Sequence, residues 1–251
     1  MGLTSDQLRA FDRDGFVVVR EAFDAREIGT YAAAIDALAN RPPEIGRQMV
    51  YYEDSRTAPG MPVLSRIEKF VEYDGTLARA VFDSRIIDAA SALIGDCAVL
   101  FKDKINFKLP GGSGFAAHQD IQPGWDSYAP YFLSVQMAID ANTIENGCLE
   151  LAAGHHRRGL IGRRWEPLEG EELSGLEFVP YPMAPGDLVF FDCFTPHQSQ
   201  PNRTSGPRRN LYLTFNRAAD GDFRERYFAD KRKSFPPDHE RVPGAAYTFR
   251  V

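Results

Sequence analysis

Hydrophobic positions follow a helical period in the first third of the chain and an alternating one after it. Thr4-Ser5-Asp6-Gln7 sets a capping hydroxyl three residues ahead of a Gln, and Leu8 with Phe11 supplies an apolar face. This predicts a short helix that ends before Gly15. Phe16-Val17-Val18-Val19 is mostly β-branched and predicts a strand, and the Ala-, Ile- and Leu-rich run Ala25–Ala39 predicts an amphipathic helix that Asn40-Arg41-Pro42-Pro43 stops. Residues 44–62 are polar, aromatic and punctuated by Pro and Gly, which predicts a long loop, either a binding element or a solvated connector. Residues 65–94 read as helical, with Ile86, Ile87, Ala90, Leu93 and Ile94 on one buried face and Gly95 closing the helix.

From Cys97 the rhythm changes. Ala98-Val99-Leu100-Phe101 leads into alternation through Ile105, Phe107 and Leu109, then a Pro-Gly-Gly turn. Further strands are predicted at 132–139, 148–151, 178–183, 188–191 and 211–215. Many short strands between Gly, Pro and Asn turns argue for an antiparallel sandwich or barrel. The expected layout is one α+β, mainly β domain over 1–251, with helical support in 1–96, a β-core in 97–220 and a charged surface tail in 221–251.

Composition narrows the function more than the fold. The 251 residues suffice for a large single core. A net charge of -6 and a pI near 5.4 argue against nucleic acid and for a small-molecule partner. Cys97, Cys148 and Cys193 are odd in number and far apart, which suggests a reducing cytoplasm rather than a disulfide framework. No apolar run reaches the length that spans a bilayer, so no membrane association is expected. The oligomeric state, monomer or homodimer, is left open.

The candidate chemistry starts at His118-Gln119-Asp120. In an extended strand a His and a carboxylate two residues apart share a face and can grip one metal ion, although such pairs also occur as ordinary hydrogen-bonded neighbours. His197, in D-L-V-F-F-D-C-F-T-P-H-Q-S, follows an apolar strand and is the candidate third ligand. Two His and one carboxylate on one face of an octahedral ion is the arrangement of non-haem Fe(II) oxygenases. Ser199 and Arg208 lie downstream, where they can hold a carboxylate, and the adjacent Arg209 should alternate to the other face. Lys102, Lys104, Asn106 and Lys108 recur at spacing two, opposite an apolar row of Phe101, Ile105, Phe107 and Leu109 that Asp103 interrupts. That row is either an anion-binding cavity wall or a charged, exposed strand face. His155, His156 and His239 read as structural or surface residues.

These motifs, in this order, resemble the phytanoyl-CoA dioxygenase family of Fe(II)- and 2-oxoglutarate-dependent oxygenases. The resemblance runs from L-T-S-D-Q-L-R-A-F-D-R-D-G-F-V-V-V through H-Q-D, E-N-G-C-L-E-L-A-A-G-H-H-R-R-G and A-P-G-D-L-V-F-F to T-P-H-Q-S and Arg208. It implies a double-stranded β-helix (jelly roll, cupin-like) with packed N-terminal helices. It also implies Fe(II) on His118, Asp120 and His197, 2-oxoglutarate bound by Arg208, Ser199, Asn106 and Lys104, and O2 as oxidant. Gln136 stands where some members carry Trp. Because Asp120 is present where halogenating relatives have a small residue, the resemblance implies hydroxylation, with release of succinate and CO2.

Within that family, the stretch from Phe101 to Asp120 is similar to members of the 2-aminoethylphosphonate dioxygenase type, which implies an aminoalkylphosphonate or amino acid as substrate. Lys102, Tyr51, Trp125 and Asn210 are the candidate substrate contacts, and Glu68, Tyr52 or Asp54 could also meet an ammonium group. The alternatives are a non-catalytic ligand- or metal-binding cupin-like protein and an oxygenase acting on an acyl-CoA. A zinc hydrolase would need a neighbouring acid or base, and the chain offers no H-E-x-x-H.

Overall fold

The computed structural model describes residues 2–247. Helix α1 (Ser5–Asp14) begins at Thr4, whose hydroxyl accepts from the Gln7 amide while the Gln7 side chain bonds back to the Thr4 amide. Gly15 ends it at φ 83°, a left-handed turn that favours glycine. Strand β1 (Phe16–Val19) and helix α2 (Ala25–Ala39) follow, as the pattern predicts. Strands β2 (Met49–Asp54) and β3 (Pro62–Glu68) come next, then helices α3 (Gly75–Val81) and α4 (Ser84–Ile94).

The remaining strands are β4 (Ala98–Lys108), β5 (Phe115–His118), β6 (Leu133–Ala138), β7 (Leu149–Leu151), β8 (Val179–Tyr181), β9 (Leu188–Asp192), β10 (His197–Ser199) and β11 (Arg208–Arg217). They form two antiparallel sheets, a seven-stranded one in the order β1-β9-β6-β11-β4-β3-β2 and a four-stranded one in the order β5-β10-β7-β8. The outer face of the larger sheet carries Ile105, Val135, Met137, Phe190, Leu211 and Leu213, which share one apolar cluster with Ile35, Leu38, Leu77 and Ile86 of the helices. Phe16, Val189 and Phe191 pack instead against Leu149 and Leu151 of the smaller sheet.

Four expectations are corrected. The predicted loop at 44–62 contains β2, and the predicted helix at 65–94 begins as β3, because both strands are completed by pairing that their own residues do not announce. β2 lies on β3, and Arg66, Ile67 and Glu68 of β3 lie on Asn106, Ile105 and Lys104 of β4. The rest of that helix is split in two, with Asp74 and Asp83 as separate N-caps. The predicted surface tail instead forms helix α5 (Arg224–Ser234), which buries Tyr227 and Phe228 beside Phe101, Trp125 and Phe132. Arg224 of α5 pairs with the buried Asp103 at 2.6 Å. Residues 248–251 of that predicted tail lie outside the described residues. Phe101 also leaves the apolar row, because a bulge in β4 skips it between Leu100 and Lys102.

Ile105 is fully buried against the helix layer, so Ile105→Ala is expected to cost about 2–5 kcal/mol in urea unfolding. The same change at Ile45, which is 81% exposed, should stay within about 0.5 kcal/mol. Equal unfolding midpoints for the two variants would contradict this account of the core.

Candidate active site

Strands β5 and β10 run antiparallel with His197 directly opposite His118, and the two rings stand 4.2 Å apart, centre to centre. His118 Nδ1 donates to the Ala116 carbonyl at 2.7 Å, and His197 Nδ1 donates to the Thr195 carbonyl at 3.0 Å. These bonds assign each proton to Nδ1 and leave the Nε2 lone pairs free for a metal. Asp120 sits in the turn after β5 rather than on the strand, so the expected shared strand face is not what brings it to His118. The turn carries it back, and Ser134 of β6 in the other sheet donates to its Oδ2.

Asp120 Oδ1 lies 4.0 Å from His118 Nε2 and 3.7 Å from His197 Nε2. The three ligand atoms all fall within 4.8 Å of one another, close enough for small rotations to close them on one ion. Burial and the neighbouring His197 push His118 down from its ordinary value, which keeps the imidazole neutral. Burial alone would raise Asp120, but His197, His118, Lys104 and the Ser134 hydroxyl together hold it below the usual carboxylate range. Two imidazoles with free Nε2 lone pairs beside an ionised carboxylate are the donor set a divalent cation requires. No other group of three or more His, Cys, Asp or Glu among the described residues has this geometry.

The polar row of β4 faces inward, which decides for the cavity wall over the exposed face. Lys102, Asn106 and Lys108 are buried, and Lys104 lines the cavity beside His118. Across the ladder, Arg208 of β11 opposes Lys108, Asn210 opposes Asn106 and Tyr212 opposes Lys104. Arg208 is 1% exposed and donates from Nη1 to Asn142 at 3.1 Å, while its Nε and Nη2 have no partner within the protein. Asn106 Oδ1 is likewise buried and unpartnered. Buried guanidinium donors left this way call for an anion, and a carboxylate fits them. Ser199 accepts from Lys108 Nζ at 2.8 Å, which leaves its own O–H free to donate. Arg209 turns to the opposite face and pairs with Asp140 and Asp36.

The cavity beside His118 and Asp120 measures about 1080 Å³, and His197 borders a smaller recess that adjoins it. Tyr51, Trp125, Lys102 and Lys104 line the larger cavity, as the sequence suggests. Asn210 does not. It is fully buried behind the wall, and in the amide orientation that satisfies both its ends it accepts from Arg208 Nη1 at 2.7 Å, so it orients the guanidinium. Glu68 lines the cavity but is not free to meet an ammonium group, since Lys231, Arg66 and Lys102 already surround it at 2.5, 3.2 and 3.8 Å. Asp54 is exposed and is not part of the lining.

Several functional side chains escaped the sequence reading. Ser134 fixes Asp120, and Lys231 reaches the cavity from α5. The buried Gln119 amide donates to the Gly159 and Phe194 carbonyls and accepts from the Ile161 amide, tying the H-Q-D turn to its surroundings. The middle residue of H-Q-D carried that signal, because a Gln between two candidate ligands has a reason to be there.

The sequence model of the phytanoyl-CoA dioxygenase family matches residues 11–210. A methylphosphonate hydroxylase of Gimesia maris is 36% identical over 93% of this chain and 88% of its own length. A 2-aminoethylphosphonate dioxygenase of an uncultured bacterium is 38% identical over 81% of this chain and 78% of its own. Among solved structures, EctD from S. alaskensis with bound Fe superposes with a TM-score of 0.72 at 27% identity, covering 87% of this chain and 78% of that one.

Burial opposes the charge on Glu68, yet Lys102, Lys231 and Arg66 outweigh it and hold the carboxyl below its ordinary value. Glu68→Gln removes the one anion from this buried cluster and should destabilise the fold by about 3–5 kcal/mol at neutral pH. Because the folded state depresses this pKa, the stabilisation is complete above the ordinary value of 4.5 and is lost as pH falls toward the folded one. Urea unfolding at a series of pH values should therefore show the gap between the two proteins narrowing in acid. A gap that widens in acid would overturn the assignment.

Proposed function

Because the chain belongs to the phytanoyl-CoA dioxygenase family and is an Fe(II)- and 2-oxoglutarate-dependent dioxygenase that hydroxylates a small substrate, we propose that His118, Asp120 and His197 hold its iron and that the substrate is a small organophosphonate. The whole chain serves as one catalytic domain, with the strands arranged as a double-stranded β-helix and the N-terminal helices packed on it. The observation that carries the reading is the pairing of a convergent His, Asp, His set with buried, unpartnered donors on Arg208. A non-catalytic binder has no use for both.

When bound, iron and 2-oxoglutarate supply the oxidation, in which O2, 2-oxoglutarate and a substrate C–H give the alcohol, succinate and CO2. The protein's part is placement. Arg208, with Ser199 and Asn106, receives the far carboxylate of 2-oxoglutarate, and Lys104 lies beside it. His118, Asp120 and His197 would hold the ion, and its remaining positions would serve the co-substrate and O2. Ser134 keeps one Asp120 oxygen engaged, so the other is aimed at the metal. Trp125 and Tyr51 exclude water from the side facing the substrate. The phosphonate assignment draws support from the lysines of that cavity and from the two relatives named for phosphonates.

His118→Ala, Asp120→Ala and His197→Ala are each expected to reduce succinate formation to background and to lose Mn(II) affinity in calorimetric titration. Arg208→Lys, which keeps the charge but loses the fork, should raise KM for 2-oxoglutarate by about 10–100-fold. A wild-type KM would remove Arg208 from the co-substrate site.

Succinate release should be stimulated by methylphosphonate or 2-aminoethylphosphonate in a panel that also contains amino acids and an acyl-CoA. Stimulation by the acyl-CoA alone would overturn the substrate reading and leave the iron assignment standing.

A further inference from the structure

The larger cavity holds charges that the oxidation itself does not use. We propose that Lys102 and Lys231 form the subsite that receives the phosphonate oxygens, with Glu68 as their fixed counter-ion. The inference rests on the organophosphonate reading above and adds where, and by which residues, the anion is held.

Three elements far apart in sequence meet here: β4 supplies Lys102, the end of β3 supplies Glu68 and α5 supplies Lys231. Glu68 Oε2 accepts from Lys231 Nζ at 2.5 Å, and its Oε1 stands 3.8 Å from Lys102 Nζ. One carboxylate therefore serves two ammonium groups, and it holds Lys102 at a distance beyond a hydrogen bond. The surroundings are aromatic. Lys102 Nζ lies 5.3 Å from the Trp125 ring and 5.7 Å from that of Tyr227, and Lys231 Nζ lies 5.6 Å from Tyr51 and 5.9 Å from Tyr227. Ring faces compensate a buried ammonium only in part, and Glu68 is the one anion among Lys102, Lys231 and Arg66; burial and the two neighbouring cations push the Lys231 amine below its ordinary value, which an arriving anion would reverse.

The location suits a substrate. Lys102 and Trp125 border both the larger cavity and the smaller recess in front of His118, Asp120 and His197. An anion at Lys102 thus places the carbon bonded to its phosphorus toward the iron ligands. A phosphonate dianion offers two charges and three oxygens to two ammonium groups, whereas a carboxylate offers one charge and two oxygens. Among the described residues, no carboxylate deep in this cavity is spare for an amine. Glu68 is surrounded by cations, Asp120 is committed to the metal, and the other acids on the cavity wall, Glu53 and Asp230, are more exposed. A compact phosphonate without an amino group fits the interior best, and an amino group on a longer one would have to point toward the mouth.

Calorimetric titration of the protein loaded with Mn(II) and 2-oxoglutarate, under nitrogen, tests this with methylphosphonate, inorganic phosphate and acetate as probes. Wild type should bind methylphosphonate about 10–100-fold more tightly than acetate, and Lys231→Met should weaken methylphosphonate by a similar factor. Lys231→Arg should recover most of that loss, and an unchanged affinity of Lys231→Met for 2-oxoglutarate would show that the fold and the iron side are intact. If Lys231→Met binds methylphosphonate as wild type does, the subsite is overturned while the reaction class stands. If wild type releases no succinate with any phosphonate, the organophosphonate reading falls and takes the subsite with it.

Discussion

The register between β5 and β10 is the constraint on which the site depends. With His197 opposite His118, both imidazoles emerge on the same side of the smaller sheet, and a slip of one residue would send one of them to the other face. That register is held locally. A Cβ at Gly114, just before β5, would sit 2.4 Å from the Ser199 carbonyl oxygen, so only glycine lets the two backbones approach as they do. After the strand, the Gln119 side chain bonds three backbone groups and fixes the turn that returns Asp120 to the pair. The third ligand is then secured across the gap between sheets by Ser134, which makes the metal centre a junction of both layers.

Such a junction requires the larger sheet to have two unlike faces, both buried. On β4 and β11 the inner residues are Lys, Asn, Arg and Tyr, and each one removed from water needs a partner. Arg208, Asn142, Asn210 and Gln136 meet one another, and Lys108 donates to Ser199 and to the Gly147 and Gln200 carbonyls. Hydrogen bonding of this kind positions groups but contributes little net stability. The outer face does the opposite, burying Ile105, Leu211 and Leu213 against the helices through apolar contact. The helices are therefore what allow the inner face to remain polar.

How far this was legible in the sequence follows from where each signal is stored. Strand residues declare their face by parity, so the lysine row, Arg208 and the opposite course of Arg209 could be read directly. Capping carries its own local signature, and Thr4 with Gln7 and Gly15 gave the limits of α1. β2 and β3 were missed because their backbone hydrogen bonds are made by partners distant in the chain. Met49 to Asp54 shows no clean alternation, and Lys69 turns the chain at φ 55° where a continuous helix was expected. Lys231 was invisible for a related reason. The segment 220–234 is so rich in charge that it resembles a solvated tail, and only Phe223, Tyr227 and Phe228, three aromatic residues among Asp, Arg, Glu and Lys, betray an inward face.

That disguise bears on how this architecture can vary its substrate. The proposed iron ligands sit on β5, β10 and the turn between β5 and β6, where a small shift alters the geometry of all three at once. α5 is attached differently, through Tyr227, Phe228 and ion pairs that include Arg224–Asp103 and Lys231–Glu68, and it adds Lys231 to the cavity without touching any of the three candidate ligands. A substitution on its inward face changes the charge that greets the substrate while the strands that carry the oxidation keep their register. On the proposed reading, chemistry is set by backbone pairing and selectivity by a docked helix, and the Glu68 carboxylate, facing Lys102 on one side and Lys231 on the other, is where the two meet.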